Sequence, residues 1–599
     1  MASACILAAA SLSAAMFAQP PSPRMERSPH EQDPAPLGLG RLIPDFDLAP
    51  IEGPPTSLSA VLKGRRGVVL VMTSTTCPVS RRYAPRLAQI EADFSLRGIP
   101  FVYVNTVRAE TLPEMQRHIR ESGFTGLYLP DRAGRLAAAL GARTTTEVYV
   151  LDASRTLVYR GAVDDQVRVG GVADAPSRHF LRDALASLLA GRPVATPATW
   201  APGCLLDIPA RVPGEAGNLT YFGRIARILD ANCLACHREG GPGAYPLDHY
   251  GAVVSRAAMI EAVVRDDLMP PTHGLHPLRD SQGRRLWKND RTLDESDKRD
   301  LLTWLRSTRP MGDPADRPVR REPSQTWEIG LPDAIYSTPD VAVPAEGPLQ
   351  HQRIIVPMNL GEARWVSAVE CRPMMRETVH HALVWVQHVN EDPGQSVEPS
   401  WSRLLATYGP GDGVTRFAPV SAMKLEPGSR LVVDLYAKPM GRPMNASLRV
   451  AVRFGEKPQR TLVSETLVGP EFNLPAGHRG PMDLPSKVLT NGPSRITGIT
   501  PVFGPRCVKV ALWTQRPGEE RQLVLKLDRY DFRWRLRYEP EEPILLPDGV
   551  TLGATAMFDN SEQNPANPDA GRTVVVGFTN DADEPMFIGL ELIDESPEP

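Results

Sequence analysis

The segment Cys233-Leu-Ala-Cys236-His237 is the most informative chemical motif in this chain of 599 residues. The Cys-x-x-Cys-His spacing is that of a c-type haem attachment site, where both thiols bond to the vinyl groups of the haem. The imidazole of His237 then lies beside the porphyrin and can ligate the iron. Half of a zinc site is the alternative, although no second Cys/His pair with zinc-finger spacing follows. The motif therefore predicts covalent haem c, attached through Cys233 and Cys236.

The haem also predicts where the protein matures, because thioether attachment takes place outside the bacterial cytoplasm. Residues 2–18 are almost all small or apolar, and a Gln-Pro-Pro run over residues 19–21 ends this stretch. The pattern predicts a signal peptide over residues 1–18, although no Lys or Arg precedes the apolar run. An upstream start and an uncleaved anchor are the alternatives, and no other segment resembles a transmembrane helix. We therefore expect a periplasmic or otherwise extracytoplasmic protein.

Length and composition limit the classes of protein further. The chain is too long for one hydrophobic core, so we expect three or four domains. A net charge of −3 without a basic patch argues against a nucleic-acid partner. Apart from the motif and Cys5 in the predicted signal peptide, the cysteines are Cys77, Cys204, Cys371 and Cys507. Their possible pairings stay open at this point.

Residues 40–195 alternate the sequence patterns of strands and helices. Tyr83, Leu87, Ile90 and Phe94 recur at helical spacing and would share one helix face. Apolar runs typical of strands cover residues 67–73, 99–105, 148–152 and 156–161, of which the last two predict a closing hairpin. Alternation of this kind predicts an α/β sheet with helical crossovers.

The strand–helix junction at residues 75–80, Thr-Thr-Cys-Pro-Val-Ser, resembles the thioredoxin-like redoxin family. A cysteine at a helix N-terminus gains thiolate character from the helix dipole, so Cys77 is the candidate reactive thiol. Ser80 occupies the place of the usual resolving cysteine, and Thr146 that of the family's proline. Leu70 stands where the peroxide-reducing branch has proline. Two interpretations stay open: a reactive Cys77, with Cys204 as a distant resolving partner, or an inert Cys77 in a scaffold or docking domain.

Residues 216–312 are predicted to form a small all-helical domain. Helices are expected before Cys233, over residues 253–267, and from Thr292, where Glu295 would complete a capping box. The first of them carries an apolar stripe made of Phe222, Ile225, Ile228 and Leu229. An attachment helix, a Met-bearing loop and a C-terminal helix, in this order, resemble class I cytochrome c domains.

Met269 is the candidate for the sixth ligand of the haem iron. It lies in a proline-containing loop, and thioether ligation suits electron transfer because it raises the haem potential. The alternatives are a core methionine or ligation by His249, His273 or His276.

From about residue 325 the pattern changes to short apolar strands between Pro- and Gly-containing turns. Regular short strands with turn signals predict β-sandwiches, here of jelly-roll-like form. Length suggests two of them, over residues 325–460 and 461–599.

The β-rich half resembles the copper type II, ascorbate-dependent monooxygenase family. The resemblance rests on Trp-Val-Ser-Ala-Val-Glu at residues 365–370 and Val-His-His-Ala-Leu at residues 379–383. Further matching segments are residues 427–429, 530–534, 558–560 and 564–568. The order of the three parts resembles bacterial multi-domain redoxin proteins nearly end to end.

This resemblance implies copper sites, for which the chain retains only some ligands. His380 and His381 match the His-His pair of the first site, but Leu435 stands where the third histidine belongs. His388 is a substitute candidate, and a metal-free histidine pair is the alternative. At the second site no histidine occurs over residues 502–506, and Met586 comes one residue late. Because copper needs imidazole or thioether donors, the resemblance implies one copper ion at most.

Together these features predict an extracytoplasmic haem-c protein that transfers electrons. Its β-rich half would bind a redox partner protein or a small-molecule ligand. One alternative is an active copper-dependent monooxygenase that receives electrons from the haem. Others are a thiol-based role for Cys77, and a copper-binding or docking protein without catalysis. Whether the protein is an enzyme stays open; an enzymatic activity would be that of an oxidoreductase.

Overall fold

The computed structural model describes residues 25–208, 217–318, 326–387, 402–411, 413–417, 421–484, 487–488, 493–578 and 583–594. The predicted signal peptide and the candidate copper ligand His388 lie outside the described residues. Within those ranges, no helix is both long enough and apolar enough to cross a membrane.

The N-terminal domain is built on a five-stranded sheet with the strand order β5-β4-β3-β6-β7. Its strands are β3 (Gly67–Met72), β4 (Phe101–Asn105), β5 (Leu127–Pro130), β6 (Val148–Asp152) and β7 (Leu157–Gly161), accompanied by the short strands β1 (Asp47–Leu48), β2 (Thr56–Ser57), β8 (Val167–Arg168) and β9 (Gly171–Val172). Strands β3, β4 and β5 are parallel, whereas β6 and β7 form an antiparallel hairpin. The predicted α/β sheet and its closing hairpin are confirmed.

Five helices surround this sheet: α1 (Leu58–Leu62), α2 (Pro78–Ser95), α3 (Leu112–Ser122), α4 (Arg135–Leu140) and α5 (Phe180–Leu189). Helix α2 begins with Pro78, whose fixed φ suits the first helical position, and Cys77 is its N-cap residue. The predicted apolar face of α2 is confirmed, because all four of its residues are buried: Tyr83, Leu87, Ile90 and Phe94. Burial of this face fixes the helix on the sheet and holds Cys77 at the end of β3.

Short helices follow: a π-helical turn (Tyr221–Ile225), α6 (Ala226–Asn232), α7 (Tyr250–Val254), α8 (Ala257–Arg265) and α9 (Glu295–Arg306). The helix predicted over residues 253–267 is wrong as one element, because a turn at Ser255 and Arg256 separates α7 from α8. The capping box predicted at Thr292 is also wrong. The amide of Thr292 donates to the Asp290 carboxylate at 2.8 Å, which holds it in a turn, and Asp294 is the N-cap residue.

The C-terminal half is made of strands in several sheets. The strands are β10 (Leu275–His276), β11 (Ala334–Ser337), β12 (Val341–Val343), β13 (Gln350–Pro357), β14 (Arg364–Pro373), β15 (Val379–Gln387), β16 (Ser402–Tyr408), β17 (Val414–Arg416), β18 (Ser421–Leu425), β19 (Arg430–Ala437), β20 (Met444–Ala446), β21 (Leu448–Gly455), β22 (Arg460–Val468), β23 (Phe472–Leu474), β24 (Arg479–Asp483), β25 (Lys487–Val488), β26 (Ser494–Phe503), β27 (Cys507–Gln515), β28 (Gln522–Leu527), β29 (Ile544–Leu546), β30 (Thr551–Asp559), β31 (Val574–Gly577) and β32 (Glu584–Asp594).

Two layered cores organise these strands. In the first, the sheet β13-β19-β15-β16 packs against the sheet that contains β14, β18 and β21. In the second, the sheet β28-β27-β30-β24 packs against β32, β26 and β29. Strand β18 pairs with β22 through Ser421 and Arg460, so one sheet continues from the first core into the second. This pairing holds the two layered units side by side.

Part of the segment predicted as helical belongs to the second β core. Strand β10 pairs with β28, so Leu275 lies opposite Leu527. Trp287 is buried among the residues of the same core. The segment after α8 therefore anchors the helices on the C-terminal half.

Candidate functional site

One cavity is lined by all three parts of the chain and has a volume of about 1560 Å³. This exceeds the roughly 300–1,000 Å³ of an ordinary small-molecule pocket. Most of the predicted site residues contribute to its wall: Cys233, Cys236, His237, Met269, His380 and His381. Cys77 lies behind the wall, although its neighbours Thr76 and Pro78 line the cavity. The fold thus brings residues from distant parts of the sequence to one enclosed space.

The Cys-x-x-Cys-His segment forms a single turn after the end of α6. The amides of Cys236 and His237 donate to the carbonyl oxygen of Cys233 at 3.1 and 2.9 Å. This turn places both thiols on the cavity wall. Gly411 of the C-terminal half lies against Cys236, because a Cβ at Gly411 would be 2.2 Å from the sulfur. Only glycine leaves room for this thiol, and glycine also adopts the φ of +78° found here without strain.

The imidazole of His237 is held in one protonation state by the backbone. Its Nδ1 is 3.0 Å from the carbonyl oxygen of Tyr245. A carbonyl can only accept, so Nδ1 carries the proton and Nε2 keeps its lone pair. Burial lowers the pKa of His237, which favours this neutral form. Gly243 leaves the space for the ring, since a Cβ there would be 2.7 Å from Nδ1.

These features fit the requirements of haem c. The group needs two thiols on one turn and a neutral imidazole with a free nitrogen, oriented by a hydrogen bond from its other nitrogen. Cys233 and Cys236 supply the thiols, and His237 supplies the nitrogen.

The candidates for a second iron ligand differ in position. Met269 is half-buried after α8 and lines the cavity, as does the exposed His249, which bonds to Asp248 at 2.9 Å. His273 and His276 do not line it. His273 is instead buried in the C-terminal half, with its Nδ1 2.8 Å from the Tyr538 hydroxyl. The geometry leaves Met269 and His249 as the candidates.

Cys77 is 1% exposed, and its polar neighbours are Thr145 and Cys204. Only Cys204 is suggested as a partner by the sequence. The Thr145 hydroxyl donates to the Cys77 sulfur at 3.0 Å and accepts from the amide of Cys204 at 3.1 Å. Burial by itself raises the pKa of Cys77, but the bonds from Cys204 and Thr145 outweigh it and lower the pKa to about 6. The same contact with Cys77 raises the pKa of Cys204. The pair therefore holds its proton on Cys204 and its negative charge on Cys77.

Glu110 orders the loop that precedes Cys77. Its buried carboxylate accepts hydrogen bonds from the hydroxyls of Ser74 and Thr76, both at 2.6 Å, and from the amide of Thr75 at 2.8 Å. Although burial raises it, these bonds lower the pKa of Glu110. Arg256 of the helical region reaches the same loop, donating to the Thr76 hydroxyl at 3.1 Å. The sequence carries no signal for Glu110, since its partners come from a different strand end.

His380 and His381 are buried side by side on β15, with their Nδ1 atoms 2.7 Å apart. Arg535 donates to Nε2 of His381 at 3.4 Å. His381 must therefore carry its proton on Nδ1 and donate it to Nδ1 of His380. Both lone pairs are then in use. Burial and the charges of Lys438 and Arg535 lower the pKa of His380, and a copper cation would meet the same positive charges.

The described residues do not fit a copper site at this pair. No group of three or more His, Cys, Asp or Glu side chains suited to a metal occurs in the described ranges. Leu435 is buried in the first β core, and Met586 lies in the second core opposite Phe503.

Comparison with known proteins bears on the N-terminal domain. Residues 39–175 match the model of the Redoxin family. The N-terminal domain is a redoxin domain. Its thioredoxin-like α/β fold agrees with the sheet order described above. No curated protein matches the chain.

Several solved structures are similar to part of this chain. An uncharacterized conserved protein from Geobacillus kaustophilus is 26% identical, covering 32% of this chain and 100% of that chain with a TM-score of 0.27. Peroxidoxin BcpB from Mycobacterium tuberculosis is 21% identical, covering 26% and 99% with a TM-score of 0.21. A putative thiol:disulfide interchange protein DsbE from Chlorobium tepidum is 18% identical, covering 26% and 99% with a TM-score of 0.22.

Proposed function

We propose that this chain is an extracytoplasmic haem-c redox protein that transfers single electrons beside its redoxin domain. The hydrogen bond from His237 Nδ1 to the Tyr245 carbonyl at 3.0 Å carries this proposal. This bond leaves the lone pair of Nε2 available to a metal ion. His237 directly follows the Cys-x-x-Cys pair, and all three residues line the cavity. An imidazole that is neutral and oriented in this way suits an iron ligand better than it suits a core histidine without metal.

Each residue of the motif has one role in this proposal. Cys233 and Cys236 would hold the haem covalently, and His237 would ligate its iron. Haem c supplies one-electron oxidation and reduction of iron when bound. Met269 is the proposed second ligand, because a thioether in a buried wall favours the reduced iron. The surrounding apolar residues of the helical region limit access of water: Leu234, Leu247, Ile260, Val264 and Leu301.

The C-terminal half contributes a positively charged part of the cavity wall. Lys438 and Arg533 line it together with Arg82 from α2 of the redoxin domain, and these positive charges repel one another. Asp531 forms an ion pair with Arg533. Burial and these neighbouring cations lower the pKa of Lys438 to about 8. A negatively charged group would relieve this repulsion. We propose that the C-terminal half binds an anionic ligand or partner group at this wall.

A haem assay on the exported, mature chain tests the proposal. The expected result is one covalently bound haem per chain, retained after denaturation and extraction with acidic organic solvent. The variant Cys236→Ser should lose covalent retention, whereas the matched variant Cys507→Ser should keep it, because Cys507 is buried in the second β core. A mature wild-type chain without covalent haem, from cells that mature another c-type cytochrome, would overturn the proposal.

A further inference from the structure

We propose that Cys77 and Cys204 form a redox-active pair that alternates between a dithiol and an intramolecular disulfide and oxidises dithiols that enter the cavity. This site lies outside the haem attachment motif and does not depend on the presence of haem. It supplies the redoxin domain with a second cysteine, which the sequence around Cys77 lacks.

Thr145 holds the two cysteines together. Its hydroxyl donates to the Cys77 sulfur at 3.0 Å and accepts from the Cys204 amide at 3.1 Å. Its own amide donates to the Cys204 carbonyl oxygen at 3.0 Å. The interaction between the two thiols lowers the pKa of Cys77 and raises that of Cys204. Bond formation between them therefore needs only a small movement of side chains.

The backbone that carries Cys204 is fixed on the redoxin domain by its neighbours. Thr144 and Thr146 donate from their hydroxyls to the carbonyls of Ala201 and Pro202 at 2.8 and 2.5 Å. Gly203 makes this close approach possible, because a Cβ there would be 3.0 Å from the Thr146 hydroxyl. The run of three threonines thus replaces the family's Thr-Pro with a platform for the segment that brings the second cysteine.

Ser80 cannot be the partner of Cys77, and its side chain has a different role. Its hydroxyl donates to the carbonyl oxygen of Thr145 at 2.7 Å. This bond ties α2 to the loop that contacts Cys204. The serine at this position therefore stabilises the loop whose Thr145 bonds to both Cys77 and Cys204.

The surroundings stabilise the reduced pair. Its charged and titratable neighbours are Arg256 from the turn before α8, Glu110 from the loop after β4, and Tyr245 from the loop after the haem motif. Hydrogen bonds to the Cys77 sulfur lower its pKa to about 6, so this sulfur is a good leaving group. A stabilised reduced form makes the disulfide a stronger oxidant.

The reaction follows from the different exposure of the two sulfurs. Cys204 lines the cavity, whereas Cys77 is buried behind it. A thiolate of the entering dithiol attacks Cys204; the Cys77–Cys204 bond breaks, and Cys77 leaves as a thiolate. The second thiol of the entering molecule then attacks its own sulfur in the mixed disulfide. Cys204 leaves and takes up a proton. The entering dithiol loses two electrons and two protons: the pair gains both electrons, Cys204 takes one proton, and the other proton goes to solvent. An entering disulfide reverses these steps, is reduced to a dithiol and re-forms the Cys77–Cys204 bond.

Disulfide mapping of the full-length mature protein tests this inference, with oxidised and reduced dithiothreitol as probes. After oxidation, digestion should yield one peptide pair linked through Cys77 and Cys204, and reduced dithiothreitol should separate it. The same treatment of Cys507→Ser should give the same linked pair. If both cysteines remain open to alkylation after full oxidation, or if Cys204 links to another cysteine, the inference is overturned.

A trapping experiment tests the direction of attack. The variant Cys77→Ser, treated with an activated disulfide, should retain a mixed disulfide on Cys204, because no second thiol is present to release it. The variant Cys204→Ser should trap far less under the same conditions, because Cys77 is buried. Equal trapping in both variants would overturn the assigned order of attack. Disulfide mapping separately shows whether Cys77 and Cys204 form the pair.

Discussion

Two cysteine pairs border the same cavity, and they are assembled in opposite ways. Cys233 and Cys236 come from one turn and hold His237 beside them. Cys77 and Cys204 come from distant segments, joined through Thr145. The first pair is recognisable from spacing alone, whereas the second exists only in the folded chain. The comparison shows that the redoxin domain lacks a second cysteine only in the sequence around Cys77. The fold brings Cys204 to it from a distant segment.

The histidines of the cavity offer a second contrast. His237 has one nitrogen bound to a carbonyl and the other free. His380 and His381 use their lone pairs on each other and on Arg535. Neighbouring imidazoles therefore do not make a metal site unless their lone pairs are available and the local charge suits a cation.

The largest expected effect separates the two cysteine pairs. The double variant Cys233→Ser, Cys236→Ser should lose all covalent haem and still form the Cys77–Cys204 disulfide. Haem staining of denatured protein and disulfide mapping measure the two outcomes on one sample. Loss of the disulfide in a correctly folded double variant would contradict the independence of the pairs.

The second prediction concerns the candidate iron ligands that line the cavity. Met269→Leu should lower the haem reduction potential and remove the absorption band of thioether-ligated ferric haem, because leucine has no donor atom. His249→Gln is the matched control and should leave both unchanged. A potential that changes only in His249→Gln would assign the ligand to His249.

The third prediction weakens the charge on Cys77 without removing a cysteine. Thr145→Val deletes a hydrogen bond to the thiolate, of the class worth about 1.5–3 kcal/mol, or roughly one to two pKa units. At pH 7 the alkylation rate of Cys77 in the folded protein should fall about two- to tenfold. Thr145→Ser keeps the hydroxyl and should behave as wild type.

The fourth prediction concerns stability as a function of pH. The folded pKa of Cys77 is about 6, below the ordinary value of 9.0. A lowered pKa contributes stability that is fully present above the unfolded pKa and is lost as the pH falls through the folded pKa. The unfolding temperature of the reduced wild type, relative to Cys77→Ser, should therefore decrease between pH 9 and pH 6. A difference that is constant over this range would show that Cys77 is not a thiolate.

The smallest expected effect is at the histidine pair. His380→Gln should leave the copper content of protein dialysed after copper loading unchanged, because the described pair offers no free lone pair. Metal analysis of wild type and variant measures this directly. One copper per wild-type chain, lost in the variant, would restore the copper site that the family resemblance implies.

The sequence predicts those helices and strands whose residues repeat with a clear apolar periodicity. The apolar face of α2 and the strands β3, β4, β6 and β7 follow from periodicity, since burial selects those residues. The contact of Cys204 with Cys77 and the role of Glu110 depend on segments that only the tertiary fold brings together. Thr292 was a misleading helix start because Asp290 offers its amide a competing partner. Trp287 likewise carries no local sign that it packs in the second β core.

The intact mass of the mature protein, recorded under oxidising and then reducing conditions, tests the central claim most directly. The account predicts the mass of the processed chain plus one haem, lower by two hydrogens after oxidation and restored by reductant. In the variant Cys204→Ser the haem should remain and the two-hydrogen change should disappear. A mature chain without haem, or a wild-type mass that does not respond to oxidation, would contradict the account.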